Sequence, residues 1–175
     1  SAASDVYKRQ NSDLANNYGN LCQRVTAFAI KNCDGKIPSI IKFQDEDLLI
    51  LNKFKDNLDN IRSEIDDQNI NFYIDYIVNS LFEANKYFND QEPWKKKDDL
   101  LRLSTIVYTA LEIIRKISFL LYPIIPESSL KALKIFDIEE NKVKLNTITN
   151  NEFLTKGNNL NKIDILFKKI EKNND

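Results

Sequence analysis

With 175 residues, 42% apolar and 29% charged, the chain can bury a core of its own as one domain. A net charge of −1 and a pI of about 5.7 exclude a general polyanion binder, so any nucleic acid must be recognised by a few local residues. The absence of histidine removes the commonest general base and metal ligand, and two cysteines alone cannot complete a metal site.

Only three glycines and four prolines interrupt the chain, which favours long helices over many short strands. Residues 1–10 show no clear periodicity and read as an unstructured or foreign lead-in. Ser12 or Asp13 can cap a first helix whose stripe is Leu14, Tyr18, Leu21, Val25 and Phe28; Asp34-Gly35 ends it, with Gly35 suited to a left-handed cap. After Pro38, a second helix is expected from about Asp45 to Asp66, with Leu48, Leu51, Leu58, Ile61 and Ile65 on one side. A third runs from about Asn71 to Asn89 on Tyr73, Ile77, Leu81, Ala84 and Phe88, and a loop with Pro93 and Trp94 follows.

A fourth helix is expected over about Asp98–Leu121, with Leu100, Leu103, Val107, Leu111, Ile114 and Leu121 facing the core and Asp98 and Asp99 at its N-terminal dipole. Tyr122-Pro123-Ile124-Ile125-Pro126 breaks it. A shorter helix follows over Ser128–Phe136, then an extended Val143-Lys144-Leu145 and a last short helix over Ile163–Ile170. The fold class is therefore all-α: an antiparallel helical bundle over 11–137, with a short extra helix and a tail over 138–175.

Cys22 and Cys33 would lie roughly 16 Å apart on one helix, too far for a disulfide, and read as small apolar residues of a cytosolic protein. No secretory signal is visible, and the run Ile117–Pro126 is too short to span a bilayer, so a soluble protein is expected. Catalysis has little support. Asp66-Asp67 and Asp98-Asp99 are sequence neighbours that do not share a helical face, and there is no glycine-rich phosphate loop.

Recognition has more support. Asn17, Asn20 and Arg24 fall on one flank of the first helix, and Asn20 and Arg24 are surface neighbours four residues apart. An amide and a guanidinium can read the edges of unpaired bases, while an aromatic ring stacks beneath them for roughly 1–3 kcal/mol per base. Trp94, the only tryptophan, stands in Glu92-Pro93-Trp94-Lys95-Lys96-Lys97, beside lysines that can hold phosphate. The alternatives are a core tryptophan at a helix end, an Asn20 that bridges helices and an Arg24 paired with an acid.

Leu14-Ala15-Asn16-Asn17-Tyr18-Gly19-Asn20-Leu21 with Gln23-Arg24-Val25, then Ala84-Asn85-Lys86-Tyr87 with Glu92-Pro93-Trp94, then Leu121-Tyr122-Pro123-Ile124-Ile125-Pro126, stand in an order and spacing that resemble the anticodon-binding domain of methionyl-tRNA synthetases. The resemblance covers Asn11 to about Phe136 and, more loosely, the chain to Ile170; Lys168 stands where the family often has proline. It implies a helical bundle that holds the anticodon stem-loop of methionine tRNA. Asn20 and Arg24 would contact anticodon bases, and Trp94 after Pro93 would stack on the first of them. From charge and position, Lys86, Lys95, Lys96 and Lys97 are candidate phosphate contacts.

The resemblance further implies a catalytic domain elsewhere in the parent enzyme, with ATP as its substrate, and a tail that folds back towards that domain. The chain carries neither of the family's ATP-binding signatures and should be inactive alone. No cofactor, metal, membrane or DNA is expected for this segment. Two rival readings stand beside this one: the same domain from a leucine, isoleucine, valine or cysteine synthetase, and a helical protein-interaction module without RNA.

Overall fold

The computed structural model describes residues 2–164 apart from 57, 61–62 and 64–69. Five α-helices are described: α1 (Ala2–Asn32), α2 (Asp45–Asp56), α3 (Ile70–Gln91), α4 (Leu100–Leu121) and α5 (Pro126–Leu133). Single 3-10 turns cover Pro93–Lys95, Lys134–Phe136, Glu140–Lys142 and Leu145–Thr147. No strand occurs among the described residues; the only ladder-like pairing is an isolated antiparallel bridge between Lys36 and Asn159. No described helix is long and apolar enough to cross a membrane.

The long helices run up and down. Lys53 pairs with Glu83, and Asp47 accepts from Tyr87, so α2 and α3 are antiparallel. Tyr73 donates to Leu120 O while Gln91 meets Arg102, so α3 and α4 are antiparallel too. Asn20 and Arg24 reach Asn85 and Asn89, which sets α1 and α3 side by side and parallel. The expected stripes form the core: Leu14, Tyr18, Leu21 and Val25 of α1, Leu51 and Leu58, and Tyr73, Ile77, Leu81, Ala84 and Phe88 of α3 are buried. Each fully buried Leu or Ile side chain contributes about 1.5–3 kcal/mol. α4 is the central element, buried almost all round from Arg102 to Leu121.

Several expectations need correction. Residues 2–10 are not an unstructured lead-in: α1 begins at Ala2, so neither Ser12 nor Asp13 caps it. Leu100 is not buried: it is the first residue of α4, directly after the Asp99 cap, and is 64% exposed. The short helix begins at Pro126, whose fixed φ suits a first turn, and tightens to a 3-10 turn over Lys134–Phe136. Val143 and Lys144 are extended, but Leu145 opens a 3-10 turn. Ile163 and Asp164 are not helical. The expected remainder of that last helix, together with Ile61, Ile65 and the break at Asp66–Asn69, lies outside the described residues. Gly35 takes φ +67 and donates to Ile30 O at 3.1 Å, the left-handed cap its sequence position suggested.

Between α5 and Asp164 the chain holds only short 3-10 turns, yet many of its backbone groups are bonded. Ile37 N donates to Asn158 O, Gly157 N to Ile37 O and Leu160 N to Gly35 O, each at 2.8 Å. Residues 147–154 lie over three charged residues of α4. Arg115 donates to Thr147 O at 3.1 Å and Asn150 O at 2.6 Å; Lys116 donates to Leu51 O at 3.1 Å and to Asn151 Oδ1. Glu112 accepts from the backbone N–H groups of Phe153 and Leu154. Cys22 is buried and Cys33 half-buried, both as free thiols.

Candidate nucleic-acid interface

Parallel packing of α1 on α3 brings two four-residue repeats face to face. Asn85 sits opposite Asn20 and Arg24, and its amide is used from both ends: Oδ1 accepts from Asn20 and from Arg24, each at 3.4 Å, while Nδ2 donates to Leu81 O at 3.1 Å and Asn17 O at 3.4 Å. Asn89, one turn further, accepts from the other terminal nitrogen of Arg24. The guanidinium carbon of Arg24 lies 5.5 Å from the centroid of the Phe88 ring, a cation–π distance. Arg24 thus uses two of its five N–H donors on asparagines and rests its plane near an aromatic face.

Phe88 also carries Trp94. The two rings meet edge to face, centroids 5.9 Å apart at 73°, and Phe28 packs on Phe88 in the same manner at 5.9 Å and 82°. Trp94 remains 41% exposed, so it is no core residue, whereas Pro93 beside it is buried. The chain leaves α3 through Glu92 in the left-handed region (φ 47), an uncommon conformation for a residue with a Cβ, and turns at once into the 3-10 turn Pro93–Lys95. This turn throws the indole outward beside Phe88.

A buried carboxylate underlies the loop. Asp47, near the start of α2, accepts from Arg102 twice (Nη1 to Oδ2 at 2.7 Å, Nη2 to Oδ1 at 3.0 Å), from Gln44 N at 2.9 Å and from the Tyr87 hydroxyl. Arg102 Nη2 also donates to Gln91 Oε1 at 2.8 Å. Burial alone would lower the Arg102 pKa; its hydrogen bonds to Asp47 and that carboxylate's charge outweigh burial and raise it. Burial, then the Asp47 charge, pushes the Tyr87 hydroxyl far up, so it remains a donor.

The four candidate lysines are placed differently. Lys86 pairs with Asp90, Lys95 pairs with Glu92 at 2.9 Å, and Lys96 donates to Gln91 O. Lys97 is exposed and has no ion pair among the described residues. Asn20, Arg24, Pro93 and Trp94 lie on one edge of the bundle, linked through Asn85 and Phe88, and Asn20 bridges α1 and α3. Sequence reasoning missed Asn89, the double use of Asn85 and the Asp47–Arg102–Gln91 link. The first two carried a signal: Asn85 and Asn89 repeat the four-residue spacing of Asn20 and Arg24.

Fold and site define an all-α bundle with a polar edge assembled from one helix pair and the loop after the second of them. A family model described as the anticodon binding domain of methionyl tRNA ligase matches residues 37–175, and the chain belongs to that family. It is similar to the methionine–tRNA ligase of Brucella suis, 37% identical over 138 residues, which are 78% of this chain and 27% of that protein. It is also similar to the methionine–tRNA ligase of Thermotoga maritima, 33% identical over 165 residues, 93% of this chain and 26% of that one. The apo crystal structure of Mycobacterium tuberculosis methionyl-tRNA synthetase superposes with a TM-score of 0.83 at 31% identity, covering 95% of this chain and 34% of that chain. The chain thus spans about a quarter of the length of these ligases. The family match begins after α1, but a likeness over 93% or more of the chain takes in most of that helix.

Proposed function

We propose that this chain reads the CAU anticodon of methionine tRNA as part of a methionine–tRNA ligase. The observation that carries the reading is the shared support of Trp94 and Arg24 by one ring, Phe88, with Asn20 bonded into the same asparagine pair. Trp94 stacks an anticodon base on its exposed face, a contact of roughly 1–3 kcal/mol. Arg24, with N–H donors to spare, and the exposed amide of Asn20 bond to base edges. Buried Pro93 fixes the backbone from which Trp94 projects.

Lys97 takes a phosphate directly. Lys86 and Lys95, 73% and 70% exposed, exchange their carboxylate partners for phosphate, and Lys96 adds its charge from the loop. Such surface ion pairs are worth only about 0–1 kcal/mol, so the exchange costs little. The rest of the ligase uses ATP to attach methionine to the same tRNA in the cytoplasm, and anticodon binding here places the acceptor end at that distant site. The segment itself uses no cofactor or metal and is not catalytic.

The test is binding of the chain to an anticodon stem-loop with CAU and to one altered at the first anticodon base. Trp94→Ala weakens binding to the CAU loop by about 5- to 150-fold, the equivalent of one stacked base, and reduces discrimination. If affinity and discrimination both survive the substitution, Trp94 does not stack. If the unaltered chain fails to bind even at low salt, the bundle serves protein contacts instead.

A further inference from the structure

The loop that carries Trp94 is closed at its base by side chains of the two helices that flank it. Gln91 is the last residue of α3 and Arg102 lies in the first turn of α4, so the eleven-residue step between them contains the whole loop. Their side chains join at 2.8 Å. Arg102 is not free to follow Gln91, because the same guanidinium is forked onto Asp47, whose carboxylate is fully buried and holds two further donors, Tyr87 and Gln44 N. A second link returns from inside the loop: Lys96 Nζ donates to the Gln91 carbonyl. At the far end Asp99 caps α4 through Arg102 N at 3.1 Å. Gln91 and Arg102 thus fix both ends of the loop to one buried anion, while the Phe88 ring meets the indole edge to face.

We propose that Arg102, acting through Gln91 and Asp47, is a positioning residue for Trp94: it holds the loop in the pose that accepts a base and sets RNA affinity without touching RNA. The inference rests on the anticodon reading above. Its physical basis is preorganisation. A loop already held in its bound shape loses less conformational freedom on binding than one ordered by the ligand. A bidentate guanidinium suits this role because its planar fork spans two acceptors at once, which an ammonium cannot do in the same geometry.

The decisive variants are Gln91→Leu, which cuts the clasp but leaves the Arg102–Asp47 pair, and Arg102→Lys, which keeps a charge beside Asp47 but not the fork. Trp94 is the only tryptophan, so its fluorescence and acrylamide quenching report on this loop alone. Gln91→Leu is expected to raise Trp94 quenching and to weaken binding of the CAU stem-loop by roughly 3- to 10-fold. In the Trp94→Ala background the same substitution is expected to change affinity hardly at all, and that loss of effect separates positioning from general damage to the fold. Equal losses with and without the indole overturn the proposal, as does unchanged quenching in both Gln91→Leu and Arg102→Lys. If the unaltered chain does not bind the stem-loop, the RNA reading fails and quenching alone judges the clasp.

Discussion

The two ends of α4 use buried charge for different purposes. At the Trp94 end, Arg102 and Asp47 spend their hydrogen bonds on one another and on side chains at the base of a loop, and the tip of that loop faces outward. At the other end, Glu112, Arg115 and Lys116 are fully buried and spend theirs mainly on the backbone of residues 147–154, with Arg115 also lying over Phe119 and Phe153. Irregular chain buried against a helix carries peptide groups that no secondary structure satisfies. Ionised side chains can satisfy several of them at once. The same device therefore presents a loop to solvent at one end and covers a core with a strandless tail at the other. The first fixes where a side chain points; the second decides whether the tail packs at all.

The largest effect should come from the second. Glu112→Ala leaves the Arg115 guanidinium without its carboxylate and the Phe153 and Leu154 N–H groups without an acceptor. Removing one partner of a buried pair costs about 3–5 kcal/mol. Urea unfolding of the chain should show a midpoint lowered accordingly. A loss under about 1 kcal/mol would mean that apolar packing by Ile148, Leu154 and Leu160 holds the tail unaided. Asp47→Asn keeps the shape of the Trp94 clasp but removes its charge, and should cost less, roughly 2 kcal/mol, because amide contacts replace part of the network. The comparison sharpens if Trp94 emission shifts in folded Asp47→Asn and remains unchanged in the folded fraction of Glu112→Ala.

Much of this was legible in the sequence for identifiable reasons. Helical spacing of Tyr73, Ile77, Leu81, Ala84 and Phe88 needs no tertiary information, and neither does the four-residue step from Asn20 to Arg24. Leu100 was misread because a stripe records the direction of a side chain, not whether a neighbour extends far enough to cover it. Residues 2–10 lack an apolar stripe, so nothing in their pattern announced that α1 runs through them. Glu112, Arg115 and Lys116 look like a solvated face to any hydropathy argument. Most of their partners lie 32 to 42 residues further along the chain, and only the folded tail shows why these charges are inside. The Trp94 clasp was hidden similarly, since Asp47 and Arg102 are 55 residues apart.

Lys116 offers the finest test of the tail-side network. Burial, reinforced by the neighbouring Arg115 cation and only partly offset by Glu112, lowers its amine from 10.5 to about 7. Below pH 7 the amine is protonated in both folded and unfolded chains, and the fold carries the full cost of a second buried cation. Between about pH 7 and pH 10.5 the unfolded chain binds the proton and the folded chain does not, so stability rises with pH. The slope is at most about 1.4 kcal/mol per pH unit, which gives roughly 2 kcal/mol between pH 7 and pH 9 once incomplete titration near pH 7 is counted. Lys116→Met fills similar space without the charge. Subtracting its unfolding profile from that of the unaltered chain should leave this rise. A flat difference would show that Lys116 keeps its proton in the fold, drawn by Asn151 and the Leu51 carbonyl. The network would then hold two cations against one carboxylate, and Lys116→Met should stabilise the chain about equally across that pH range.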